Sequence, residues 1–105
     1  FEGLLALLTW LAVAANATLS VTATTGNVAV GSANQGSTFQ FCNIGTNICF
    51  VKAGTSNAIT AATTDIPVPS GAILTYSFPP ETTHIAAICL ATQTATLYIS
   101  RGEGV

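Results

Sequence analysis

The chain has 105 residues, enough for one domain with a thin core. Half of its residues are hydrophobic and 6% are charged, where an average soluble domain carries roughly 25% charge. Two basic residues and a formal net charge of −2 cannot supply the several Lys and Arg contacts that counterion release requires, so nucleic acid is excluded as a partner.

Between Gly3 and Val51 there is no charged residue at all. A free monomer normally stays soluble behind a mixed, charged surface. This exterior must instead be Thr, Ser, Asn, Gln and Ala, or else be covered by other chains. Coverage is the favoured reading, because interface cores are depleted in charge.

The first segment, Phe1–Asn16, is rich in Leu and Ala and predicts a short hydrophobic helix. At helical spacing Leu4, Leu5, Leu7, Leu8 and Leu11 share one face. The run is shorter than the roughly 20 apolar residues of a membrane span. It also lacks the positive start of a signal peptide. A helix that docks in a groove or self-associates fits better, ahead of a membrane-contacting segment and of a leader unrelated to the domain. Leu4, Leu5, Leu7, Leu8, Trp10 and Leu11 are the candidate protein-interface residues.

From Ala17 the composition shifts to Thr, Val, Ile, Ala, Ser and Gly, and the chain to its end at Val105 reads as one β-sandwich domain. Predicted strands are Thr18–Thr24, Asn27–Val30, Thr38–Asn43, Ile48–Lys52, Ala58–Ala62, Ala72–Phe78, Thr83–Leu90 and Thr94–Ser100. The strongest local unit is Phe39–Val51. Ile44-Gly45-Thr46-Asn47 predicts a tight hairpin turn with Gly45 at positive φ. That register sets Cys42 opposite Cys49 and Phe41 opposite Phe50. A cross-strand disulfide is then open to this pair in an oxidising setting; packed thiols are the plainer outcome, and the odd count of three cysteines argues against a disulfide scaffold. Ile66-Pro67-Val68-Pro69 must be an edge or a connection, because proline cannot donate to a ladder. Pro69-Ser70-Gly71 predicts a tight turn, His84–Leu90 a central strand, and Ala95, Leu97 and Ile99 one buried face. Together these predict an all-β, jelly-roll-like antiparallel sandwich, or an immunoglobulin-like one. The Cys–Trp–Cys signature of the latter is absent, since Trp10 precedes the sandwich.

Residues that carry chemistry are scarce. His84 is the only histidine, with Glu81 three residues earlier; a structural histidine accounts for it better than a general base. The cysteines show no metal-ligand spacing and the acids are scattered, so no metal, no cofactor and no paired-acid hydrolase is expected. Gly31–Gly36 lacks the Lys of a phosphate loop. Lys52, the only lysine, reads as a solvated strand end, with a crosslink to Asn as the remote alternative. Ser100–Val105, with Arg101 and Glu103, reads as a flexible charged tail or as an arm to a neighbouring subunit.

The cadence of Phe39–Val105 resembles small structural proteins of tailed bacteriophages, of the capsid decoration or cement type. The resemblance rests on the turn Asn43-Ile44-Gly45-Thr46-Asn47, the turn Pro69-Ser70-Gly71, and the closing run Thr96-Leu97-Tyr98-Ile99-Ser100-Arg101-Gly102-Glu103-Gly104. It implies a non-enzymatic β-sandwich that binds and stabilises neighbouring virion subunits. The partners would be the major capsid protein or another virion protein, and further copies of the chain in a dimer or trimer. The location would be the virion, assembled in the bacterial cytoplasm. Phe1–Asn16 departs from that pattern. The alternatives are a surface adhesin and a carbohydrate-binding sandwich, which would use Tyr76, Phe78 and Tyr98 as its exposed rings.

Overall fold

A computed structural model describes residues 11–12, 16–33 and 36–103. Among these the regular structure is all strand: β1 (Leu11–Ala12), β2 (Ala17–Val21), β3 (Gly26–Ala29), β4 (Thr38–Asn43), β5 (Cys49–Gly54), β6 (Ile66–Val68), β7 (Ile73–Ser77), β8 (His84–Cys89) and β9 (Ala95–Glu103). They form two antiparallel sheets. One runs β2-β9-β4-β7, with β1 on the same edge of β9 as β2; the other runs β3-β8-β5-β6.

The pairing has a simple logic. β2 pairs with β9, β3 with β8, β4 with β7 and β5 with β6, all antiparallel. The chain from β2 to β5 therefore lies along the chain from β6 to β9 as one long two-stranded ribbon. Further pairings of β4 with β9 and β5 with β8 close that ribbon on itself. Every step from β2 to β9 crosses between the sheets except β5 to β6.

Alternation of apolar and polar residues decides which way each strand faces. In β4 the odd positions Phe39, Phe41 and Asn43 are buried; in β9 Ala95, Leu97, Ile99 and Arg101 are. Phe39 and Phe41 are fully buried and meet the rings of Tyr76 and Phe78 at centroid distances of 5.5–6.0 Å. Burial of each ring contributes about 2–3 kcal/mol. Val51, Val68, Ile85, Ala87 and Leu97 complete the same core.

Several expectations are corrected. The helix is not found where that stretch is described: Leu11–Ala12 is extended, with Leu11 opposite Glu103 and Ala12 opposite Gly102. The edge of β9 offers backbone partners that outweigh helix propensity at these two residues. Leu4, Leu5, Leu7, Leu8 and Trp10 lie outside the described residues. β4 and β5 are not a hairpin. They belong to different sheets, so Cys42 faces Tyr98 and Ile73, while Cys49 faces Cys89. Gly45 is not among the positive-φ glycines. It is needed for another reason: a Cβ there would stand 2.7 Å from the Cα of Ala95. The Ala58–Ala62 stretch is loop, and the edge strand of that region is β6 instead, with Pro67 in it. The Pro69–Ala72 turn closes as expected, with Ala72 N–H on the Pro69 carbonyl at 3.0 Å and Gly71 at φ 75°. β8 is central, between β3 and β5.

Candidate interaction surface

The two outer faces of the sandwich differ. On the β3-β8-β5-β6 sheet, the loop between β5 and β6 folds back over the outside. Asn27 Nδ2 donates to the Asn57 carbonyl at 2.8 Å, Ala61 N–H donates to Thr25 Oγ1 at 2.8 Å, and Ile59 packs on Gly54. Ala86 points away from the core by strand alternation, yet it is fully buried; its cross-strand neighbour Asn27 is the residue that holds the loop.

The outer face of the other sheet has no such cover among the described residues. Strand register lays its side chains out in rows. Thr18, Tyr98, Cys42 and Ile73 form one row, and Ser100, Gln40 and Thr75 the next. Ile44 continues this face beyond β4, its N–H on the Thr96 carbonyl at 3.0 Å. Tyr98 is 41% exposed, Ile44 58% and Ile73 64%. None of the described outward side chains of β2, β4, β7 or β9 is charged. The face is thus apolar along one row, hydroxyl and amide elsewhere, and neutral throughout.

A hollow of about 410 Å³ opens at one end of this sheet, between the β4–β5 connection and the start of β9. Ser20, Thr22, Thr46, Thr94 and Thr96 give it hydroxyls, and Gly45 and Ala95 its floor. It holds hydrogen-bonding groups and no titratable one. A neutral polar side chain or backbone segment suits it.

The corner beside the hollow is organised by Asn43, which is fully buried. Its Nδ2 donates to the carbonyls of Asn47 and Val68, both at 2.9 Å, and its Oδ1 accepts the Gly45 N–H at 2.9 Å. Its backbone is tied to Ala72 and Gly71. Asn43 therefore fixes the crossing from β4 to β5 and the end of β6 through its side chain, and the start of β7 through its backbone. The reading of this stretch as turn residues did not anticipate a buried hub.

Arg101 is a second buried polar residue. The expected tail is strand as far as Glu103, and Arg101 is 1% exposed. Its Nε and Nη2 donate to the carbonyls of Gly36 and Pro80 at 2.9 Å, and its Nη1 to that of Val30 at 3.4 Å. It ties together the loops at the opposite end of the sandwich from Asn43.

His84 starts β8 half-buried, its Nδ1 2.8 Å from Thr83 Oγ1. Lys52 is exposed, so it does not meet the burial that a crosslink to Asn would need. Of the rings considered for sugar binding, Tyr76 and Phe78 pack against the core and Tyr98 alone lies on an open face. Among the described residues no three metal-ligating side chains come together. Cys49 and Cys89 are buried free thiols; burial, and secondarily Cys89, push the Cys49 thiol up to about 12, and burial raises Cys89. No protein family matches the sequence, and no curated protein does either.

Proposed function

We propose that this chain is a non-enzymatic virion structural protein of the capsid decoration or cement type. It binds neighbouring subunits through the open face of the β2-β9-β4-β7 sheet. The observation that carries the reading is that face: neutral and uncovered among the described residues, and bearing Ile44, Ile73 and Tyr98. A partner that covers it need not strip water from any charge, and aromatic and aliphatic anchors supply the contact energy. A neutral partner surface, such as the wall of a capsid or tail subunit, is the complement.

The strand order supports a jelly roll rather than an immunoglobulin-like sandwich. An eight-strand ribbon wound into two four-stranded sheets is the plan that viral capsid and lectin domains share. The lectin-like alternative is disfavoured by the single ring on the open face. Fold alone does not assign function, so the face is the test. Tyr98→Lys and Ile73→Lys place charges on it without touching the core. Purified chain is sedimented with tailed-phage particles and, separately, sized by light scattering. Saturable binding or self-association that both variants weaken at least tenfold supports the reading. Equal binding by the variants, or none by the wild type, overturns it.

A further inference from the structure

The closing of the ribbon brings together two cysteines that lie far apart in sequence. Cys49 of β5 and Cys89 of β8 are directly opposite one another, at the end of the ladder between the two central strands of the β3-β8-β5-β6 sheet. The Cys89 N–H bonds the Thr22 carbonyl at 2.8 Å, on the side away from β5. A strand residue directs its N–H and C=O to the same neighbour, so Cys49 and Cys89 form a non-hydrogen-bonded pair. Cα atoms in such a pair stand about 4.5 Å apart with side chains close. That lies within the span of roughly 4.4–6.8 Å that a disulfide accepts. Both side chains are on the inner side of the sheet, and each sulfur holds only weak contacts. Cys49 Sγ is 3.7 Å from Asn43 Nδ2, and Cys89 Sγ is 3.8 Å from the Val21 carbonyl. Little is lost if the sulfurs turn toward one another.

We infer that Cys49 and Cys89 are a modification site: a dithiol that a small-molecule disulfide converts to a cross-strand bridge. The site does not depend on the proposed virion role. The thiolate of one cysteine attacks the small disulfide, forming a mixed disulfide and releasing one small thiol. The thiolate of the other then attacks the protein sulfur of that mixed disulfide and expels the second small thiol. The protein gives up two electrons and two protons, and both leave in the two released thiols. Thiols buried this deeply ionise poorly, so exchange proceeds from the opened or refolding chain and not from the closed sheet.

The position gives the bridge a structural consequence. β6 and β7 lie between the two cysteines, and β5–β8 is a pairing that closes the ribbon rather than one within it. A bond there staples the roll shut. The third thiol, Cys42, is in the other sheet, opposite Tyr98 and Ile73, and has no part in it.

The test uses the full chain and its Cys42→Ala variant, each refolded in a reduced and oxidised glutathione buffer and, in parallel, in excess reductant. Peptide mapping under non-reducing conditions is expected to recover Cys49 linked to Cys89 in both proteins, with a mass loss of two hydrogens. The bridged form is expected to melt roughly 10 °C above the reduced form. Full alkylation of Cys49 and Cys89 after oxidative refolding overturns the inference. So does a bridge that maps to Cys42, or a bridged form that melts no higher than the reduced one. Wild-type mapping keeps the test decisive if Cys42→Ala does not fold.

Discussion

The guanidinium of Arg101 lies 4.9 Å above the ring centroid of Phe39, two residues that face each other across β9 and β4. The ring seats the cation from one side while three loop carbonyls take its N–H groups. A planar fork with several fixed donors suits this arrangement, and an ammonium does not. Arg101→Met leaves those carbonyls without this donor, at a cost of about 3 kcal/mol or more. Arg101→Lys keeps the charge and is expected to cost about 2 kcal/mol, because one compact donor group cannot span the carbonyls. Urea titrations followed by fluorescence check both; equal stability of the lysine variant and the wild type contradicts the claim that the fork geometry matters.

Asn43 performs the matching task at the other end. Asn43→Asp preserves the acceptor for Gly45 but removes both donors to the Asn47 and Val68 carbonyls, and it buries a carboxylate. The expected loss is about 3 kcal/mol near neutral pH, which shrinks as acid protonates the new group. The carboxyl is neutral sooner in the folded chain than in the unfolded one, so the variant gains stability relative to wild type as pH falls. Denaturation midpoints of both proteins across the acid range read this out. A difference that does not change with pH argues that the loss comes from packing alone.

The strands were readable where one face is buried and the other wet. Phe39, Phe41, Ala95, Leu97 and Ile99 alternate, and every one of them is in the core. Partner choice was not readable. A short Gly-containing link is the same in sequence whether it turns a hairpin or arches from one sheet to the other. At Ile44–Asn47 the deciding term is Asn43, whose burial depends on carbonyls at Asn47 and Val68 that local pattern does not reveal. Arg101 was misjudged for a related reason. Glycines and charges beside a chain end resemble a tail, and only tertiary contacts show that loop carbonyls await the cation. The missing charges foreshadowed a neutral open face, whereas Leu4, Leu5, Leu7, Leu8 and Trp10, which the sequence offers as a contact, lie outside the described residues.

Thr92 is the one non-glycine at positive φ among the described residues, at 63°. It occupies the turn from β8 to β9, where Gln93 N–H reaches the Leu90 carbonyl at 3.0 Å. A β-branched residue is strained there by about 1–2 kcal/mol. Thr92→Asn and Thr92→Gly relieve that strain; the position is exposed, and what is given up is the solvent-exposed Thr92 Oγ1 hydrogen bond to the Ala91 carbonyl at 2.6 Å. Stability is expected to rise by about 0.5–1 kcal/mol, less for glycine because its unfolded chain is freer. Thermal melts of the two variants test this; a lowered midpoint for both contradicts a strained backbone at this turn.

Cys49 sets how the reduced protein responds to base. Burial lifts its thiol from an ordinary value near 9 to about 12. Between those values the unfolded chain gives up the proton and the folded chain keeps it. The unfolded state then binds fewer protons, so stability falls as pH rises through this window and is unaffected by this group below it. The slope approaches roughly 1 kcal/mol per pH unit for one thiol. Cys89, raised in the same direction, adds to it. Urea midpoints of the reduced protein are expected to drop steadily in base, and those of Cys49→Ala to drop less. A bridged Cys49–Cys89 pair has no thiol to ionise, so oxidised protein is expected to lose this part of the base sensitivity. Parallel pH series on the two redox forms isolate thiol ionisation, the one contribution that the bridge removes; identical slopes in the two series mean that Cys49 is not the group responsible.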